Sequence, residues 1–161
     1  MTGVLSGPHV HGSAVAFPLQ EDWVALLIIG RSGAGKSELA LELMGLGAML
    51  VSDDQTLLTR QHDHIAVSPP VALRGLIELR GMGILRAPCQ PSARLAAIVD
   101  LDDVETRRLP EEDFAEVHGL RVARLRKSVS TAFAVGLKYY LLSGDWQPEG
   151  RSRHDTDTFR G

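Results

Sequence analysis

Cysteine is nearly absent: Cys89 is the single one in 161 residues. No internal disulfide can form, which argues against a secreted, disulfide-stapled scaffold. An excess of positive charge is missing too. Lys plus Arg number 17 against 20 for Asp plus Glu, a net charge of −3, so there is no global attraction to nucleic acid or to an anionic membrane surface. Long apolar runs are lacking. The longest, residues 23–29, has seven residues, where a membrane helix needs roughly 20. The N-terminus lacks the basic-then-apolar order of a signal peptide, and no internal repeat is visible. What is there is a composition 44% hydrophobic and 23% charged, which supports one core in a chain of this length. The expectation is a soluble, cytoplasmic protein that binds neither nucleic acid nor membrane.

Hydrophobic runs and turn residues predict an α/β order. Residues 10–17 alternate loosely and predict an edge strand, with a polar turn over 18–22. Residues 23–29 are apolar throughout, the pattern of a strand buried on both faces in a helix-covered sheet. After Ser37, residues 38–44 are strongly helix-forming, with Gly45 and Gly47 as stops. Residues 48–52 form a second short buried strand that ends in Asp53-Asp54. Residues 56–60 and 64–68, on either side of Gln61-His62-Asp63, predict a hairpin. Pro69-Pro70 and a glycine-punctuated stretch over 74–86 precede a core strand at 95–101. Val129, Ala132, Phe133, Leu137 and Tyr140 share one face of a helix starting near Ser128 or Ser130, either of which would cap it. Residues 148–161 have the polar composition of a disordered tail. The sequence thus predicts a single domain over 1–147 with a mostly parallel core sheet and a small antiparallel hairpin.

The strongest signal is Gly30-Arg31-Ser32-Gly33-Ala34-Gly35-Lys36-Ser37, a full match to G-x-x-x-x-G-K-[ST] between a buried strand and a helix. Glycines let the backbone wrap a polyphosphate so that successive N–H groups meet its oxygens, and the helix N-terminus adds partial positive charge. Lys36 would reach the β and γ phosphates, and the Ser37 hydroxyl would ligate Mg²⁺. Neither a D-x-x-G switch nor an N-K-x-D specificity motif stands where a GTPase needs it. Arg121, Arg124, Arg126 and Lys127 lie on a strand-like segment, which makes either a poor kinase lid or an ordinary solvated face.

Asp53-Asp54 ends a strand near the phosphate loop, where the carboxyl ends of strands line the ligand crevice of open α/β sheets. A carboxylate there holds Mg²⁺ or accepts a proton from an attacking hydroxyl. Two adjacent acids at a strand end point in different directions and can divide these tasks. Glu78 and Arg80, two apart before the turn Gly81-Met82-Gly83, would address one ligand from the same face. Cys89, with no histidine beside it in sequence, reads as a packed thiol rather than a nucleophile.

Together these pieces resemble the catalytic domain of bacterial HPr kinase/phosphorylase, the enzyme that phosphorylates a serine of the phosphocarrier protein HPr. His11-Gly12 precedes the phosphate loop. Glu38, Ala40, Leu41, Glu42 and Leu43 follow it, then Leu50-Val51-Ser52-Asp53-Asp54. Glu78-Leu79-Arg80-Gly81-Met82-Gly83-Ile84 is similar to the family's E-I-R-G-x-G-I signature. The resemblance covers residues 9–101 and is to the short, catalytic-domain-only form familiar from α-proteobacteria. It implies ATP and Mg²⁺ as cofactors and HPr as partner. It implies that Lys36 contacts the transferred phosphate, that Ser37 and Glu78 ligate Mg²⁺ with Asp53 in support, and that Asp54 takes the serine proton. His11 would lie near the phosphate, and Arg80 with the Gly81-Met82-Gly83 turn would shape the site receiving HPr. A homo-oligomer, a hexamer, is implied as well. The family's later G-R-N-like segment has no match in Leu125-Arg126-Lys127-Ser128-Val129-Ser130, where Arg126 is the residue that would substitute. Two other readings keep the same loop: a regulatory nucleotide-binding module without transfer chemistry, and a small-metabolite kinase.

Overall fold

The computed structural model describes residues 4–147; the expected disordered tail lies outside them. Eleven strands and two helices follow in the order β1 (Val4–Leu5), β2 (His9–Leu19), β3 (Asp22–Ile29), α1 (Lys36–Gly45), β4 (Met49–Ser52), β5 (Gln55–Gln61), β6 (His64–Ser68), β7 (Leu76–Leu79), β8 (Gly83–Arg86), β9 (Ala93–Val104), β10 (Phe114–Val117), β11 (Leu120–Lys127) and α2 (Phe133–Ser143). The main sheet runs β1-β10-β11-β9-β3-β2-β5-β6, with β4 also on β2, and β7-β8 form a separate hairpin. Pairing of β6 with β9 at Ala66↔Arg94 and Val67↔Ala93 closes part of this sheet on itself.

The sheet is mixed, not mostly parallel. β3, β9 and β11 are mutually parallel, and β4, antiparallel to β2 as β3 is, runs in their direction. The expected parallel set therefore exists, but β2 is inserted into it the other way. β5, β6 and β10 also join through antiparallel pairs. The physical reason lies in the connections. β2–β3, β5–β6 and β10–β11 are joined by two-residue turns with positive φ at Gln20, His62 and His118, and links that short permit only antiparallel neighbours. The hairpin expected over 56–68 is present, its first strand running from Gln55 to Gln61.

The expected edge strand is instead central. β2 pairs with β3, β4 and β5, and Ala14, Val15 and Ala16 have no exposed surface. Small residues on both faces blur its alternation, and an interior strand needs none. β3 is buried on both faces, as its apolar run requires. Above the sheet, α1 buries Leu39, Ala40 and Leu43, and α2 buries Ala134, Leu137 and Leu141, against Val15, Leu26, Ile28 and Val99. The opposite face gathers Ala14, Leu27, Ile65, Val67 and Ile98 in a second core.

α2 starts later than its apolar pattern predicts. Its first helical residue is Phe133, and Val129 is 83% exposed outside it. Ser130 Oγ accepts the Ala132 N–H at 3.1 Å, so this serine shapes the turn before the helix rather than capping it. α2 is tied to α1 by Lys138, whose Nζ donates to Leu46 O at 2.7 Å, a cation on the carbonyl end of the neighbouring helix. Cys89 is half-buried, its backbone bridges to Leu50, and its side chain packs against the core. Among the described residues no helix is long and apolar enough to cross a membrane.

Candidate active site

Because β3, β4, β9 and β11 run the same way, their carboxyl ends meet at one edge of the sheet, where the segments that follow can share a ligand. The loop after β3 begins at Gly30 (φ +152°) and passes through Gly33 (+85°) and Gly35 (+99°), backbone angles that side chains disfavour. Ala34 N–H donates to Arg31 O at 3.0 Å, closing a turn inside the loop. Lys36, 8% exposed, points back into it and donates from Nζ to Gly30 O at 2.8 Å and Arg31 O at 3.0 Å. Ser32, Gly33 and Ala34 complete the wrap, and Ser37 lies in the first turn of α1.

Asp53 is the hub of the site. Its side chain is almost wholly buried, with Asp53 5% exposed. Its Oδ1 accepts from Ser13 Oγ at 2.7 Å and from Ser37 Oγ at 2.9 Å, while Oδ2 accepts the Glu78 N–H at 2.9 Å. One carboxylate thus fastens β2, the phosphate loop's helix and β7 together. The flanking pairs His11↔Gln55 and Ala14↔Ser52 place Asp53 opposite Ser13 and Asp54 opposite Gly12. In a regular strand two adjacent residues turn to opposite faces. At Asp54 the backbone enters the left-handed region, φ +66°, and its carboxylate meets His11 Nε2 at 3.0 Å. His11 is two residues from Ser13, on the same face of β2, so both acids address one side. They differ in exposure: Asp54's side chain is 69% exposed and His11's 50%.

Glu78 reaches this centre through its main chain; its carboxylate is exposed. Arg80 sits in the β7–β8 turn with Gly81 and Met82, also exposed, and Met82 and Ile84 each leave 69% of their surface to solvent. The donors brought together for a cation are oxygens, Ser37 Oγ and Asp53 Oδ1, which suits Mg²⁺. This ion typically takes one or two carboxylates and completes its shell with water and substrate phosphate. Among the described residues no cluster of three or more histidine, cysteine or acidic side chains could hold a metal alone.

Arg126 does not face this centre as an unpaired cation. It donates to Asp103 and Asp113, each at 3.0 Å, and lies 3.9 Å from Glu105. Arg124, 9% exposed, binds Asp100, Asp103 and Asp113 at 2.9–3.0 Å. The hydrogen bond from Arg124 holds the Asp103 carboxyl below its ordinary range. Burial works to lower the Arg124 guanidinium, but its bonds to Asp103, Asp100 and Asp113 outweigh that and leave it raised. Two residues of the site were not singled out from sequence, Ser13 and Asp102. Ser13 stands two positions after His11, the spacing that puts both on one strand face. Asp102 directly follows the core strand expected at 95–101 and lies within the observed β9, near the sheet edge that carries the glycine-rich loop.

A buried strand, a glycine-rich loop and a helix, with an acid pair on the next parallel strand, define a phosphate-loop type of architecture. The family is shown by comparison: the model of the HPr Serine kinase C-terminal domain matches residues 9–123, and the chain belongs to that family. The HPr kinase/phosphorylase of Limosilactobacillus reuteri is 30% identical over 149 residues, covering 84% of this chain and 47% of that protein. That of Chloroherpeton thalassium is 41% identical over 78 residues, 48% of this chain and 22% of its own. The chain therefore spans about half or less of the length of these curated relatives. The Hpr(Ser) kinase/phosphatase of Coxiella burnetii shares the fold, with a TM-score of 0.65 at 20% identity over 85% of this chain and 88% of that one.

Proposed function

We propose that the chain is an ATP- and Mg²⁺-dependent protein-serine kinase of the HPr kinase/phosphorylase type, acting on HPr in the cytoplasm. The observation that carries this reading is the joining of Ser37, Ser13 and the Glu78 main chain on one buried carboxylate, Asp53, with the exposed Asp54–His11 pair beside it. Bound Mg·ATP would supply the phosphoryl group and the charge compensation of the metal. Gly30, Arg31, Ser32, Gly33, Ala34 and Gly35 form the cradle in this reading, and Lys36 turns from the loop carbonyls to the phosphate oxygens, where charge is compensated in the transition state. Ser37 and Asp53 hold the metal, with Glu78 next to them.

Asp54 is the group that takes the serine proton. It is accessible to an incoming hydroxyl, and His11 fixes one of its oxygens so that the other is presented. Arg80 and the Gly81-Met82-Gly83 turn, exposed on their hairpin, form part of the surface that receives HPr. The catalytic unit occupies residues 1–147 and is expected to self-associate, as the resemblance to a hexameric family implies; light scattering that shows a concentration-independent monomer would remove that element.

The test is one assay. Purified protein is incubated with ATP, Mg²⁺ and HPr, and the product is mapped by mass spectrometry. Phosphoserine on HPr is the expected result, and ATP binding without transfer would overturn the reading. Phosphoserine-HPr with inorganic phosphate, in the same buffer, reads the reverse direction.

A further inference from the structure

Asp102 carries an arrangement that the phosphate-loop motif does not specify. It lies just past Leu101 in the last part of β9, two residues before Val104, on the strand parallel to β3 on the side away from β2. Its Oδ2 accepts the Arg31 N–H, the second residue of the loop, at 2.9 Å, and its Oδ1 lies 3.6 Å from Arg31 Nε. Beside this contact the loop's first residue is pressed against the same strand. A Cβ at Gly30 would stand 3.3 Å from Leu101 Cβ and 3.0 Å from Ala34 Cβ. Asp102 is itself held: its N–H donates to Asp100 Oδ1 at 2.9 Å, while Asp100 Oδ2 accepts from Arg124. A continuous set of contacts thus runs from Arg124, with its side chain 9% exposed, to the point where the loop leaves β3.

We propose that Asp102 is a positioning residue for nucleotide binding, which fixes the take-off of the phosphate loop by accepting the Arg31 amide. The inference rests on the loop's reading as a nucleotide cradle and adds a residue to it. The Arg31 N–H precedes the glycine turns, so its partner sets the direction from which the later amides approach an anion. A carboxylate at this place puts negative charge near a polyanion site, which works against binding. Its tolerance follows from two features. The Arg31 guanidinium stands against it, and two acceptor oxygens serve the amide and the guanidinium at once. A displacement of about 1 Å in such a frame is enough to lose much of the alignment that transfer requires.

The full chain is titrated with Mg·ATP by calorimetry in the wild type, Asp102→Ala and Asp102→Asn, with thermal melts as a check on folding. The alanine variant is expected to bind about 10-fold more weakly, the order set by losing a hydrogen bond to a charged acceptor at a half-exposed site. The asparagine variant, which keeps an acceptor oxygen of the same shape, is expected to stay within about 3-fold of wild type. Should the alanine variant fail to fold, Asp102→Val, which favours a strand and offers no acceptor, takes its place. Unchanged affinity without the acceptor overturns the proposal, and so does an asparagine variant as weak as alanine, since charge rather than acceptor geometry would then be at work. A wild type that binds Mg·ATP but leaves HPr unmodified removes the kinase reading while the Asp102 comparison still stands.

Discussion

Asp53 and Asp54 are neighbours with unlike surroundings, and chemistry divides them accordingly. Asp53 is enclosed by three donors, so its lone pairs are directed at fixed groups, and in the proposed reading at a metal beside Ser37. Asp54 meets solvent and His11, the setting of a group that exchanges protons with something arriving from outside. Asp54→Asn is expected to lower transfer by about 10²–10⁴-fold with ATP affinity within a few-fold, because asparagine keeps the shape and loses the basicity. Asp53→Asn is expected to raise the Mg²⁺ concentration needed for half-maximal rate, because the amide nitrogen cannot accept. Rates titrated against Mg²⁺ in both variants check this. Full turnover of Asp54→Asn at high Mg²⁺, with Asp53→Asn inactive, would exchange the two roles.

At the scale of elements, β2 positions the site and tolerates little bulk. A Cβ on Gly12 would stand 2.7 Å from Ile28 O, a backbone atom of the paired strand. Gly12→Ala must therefore push β2 from β3 and move His11 and Ser13 with it. We expect a loss of about 1–3 kcal/mol, read as a fall in melting temperature of several degrees, together with reduced transfer; an unaltered melt would refute the packing argument. This strand also shows what the sequence conceals. The strand, glycine-rich loop and helix over 23–45 were legible because an apolar run, glycines at fixed spacing and a helix-forming segment encode their own backbone path. The acid pair was legible as an interruption after an apolar run, and the 55–68 hairpin by its polar turn. The place of β2 was not. Its residues say that it is buried, while which neighbours cover it depends on turns far along the chain. Likewise the left-handed angle that brings Asp54 to His11, and the serine that turns the chain before α2 instead of capping it, arise from tertiary contacts and leave little trace in composition. The arginines of β11 read as a solvated face or a lid because their acidic partners lie 11–24 residues away.

For the molecule as a whole, those arginines are a clasp. Arg124 joins β11 to the end of β9 through Asp100 and Asp103, and to the segment before β10 through Asp113. Arg124→Met removes the shared partner of three carboxylates. Its melting temperature is expected to fall, by less than loss of a fully buried pair would give, because the acids retain contact with water. The pH dependence has a definite sign. Since Arg124 holds Asp103 below the ordinary value of 3.8, the contribution of the Arg124–Asp103 pair is present above that value and is lost as pH falls through the lowered one. The melting-temperature gap between wild type and variant should then be full near neutrality and narrow in acid below about pH 3.8 as the Asp103 part is lost. A gap that persists or widens there would show that Arg124 acts through packing of its stem instead.

The left-handed backbone at Asp54 has a consequence for how this protein would respond to selection. An aspartate tolerates φ +66° better than most residues, yet glycine fits that region without steric cost. Asp54→Gly should therefore raise the melting temperature by roughly 1–3 °C while removing the acid proposed to take the serine proton. A library screened for heat resistance alone would be drawn to this substitution and would collect folded proteins that lack the proposed base. Recovery of Asp54→Gly with a lower melting temperature than wild type would show that the His11 contact outweighs the backbone term. On the reasoning above, chemistry and durability pull on this one position in opposite directions.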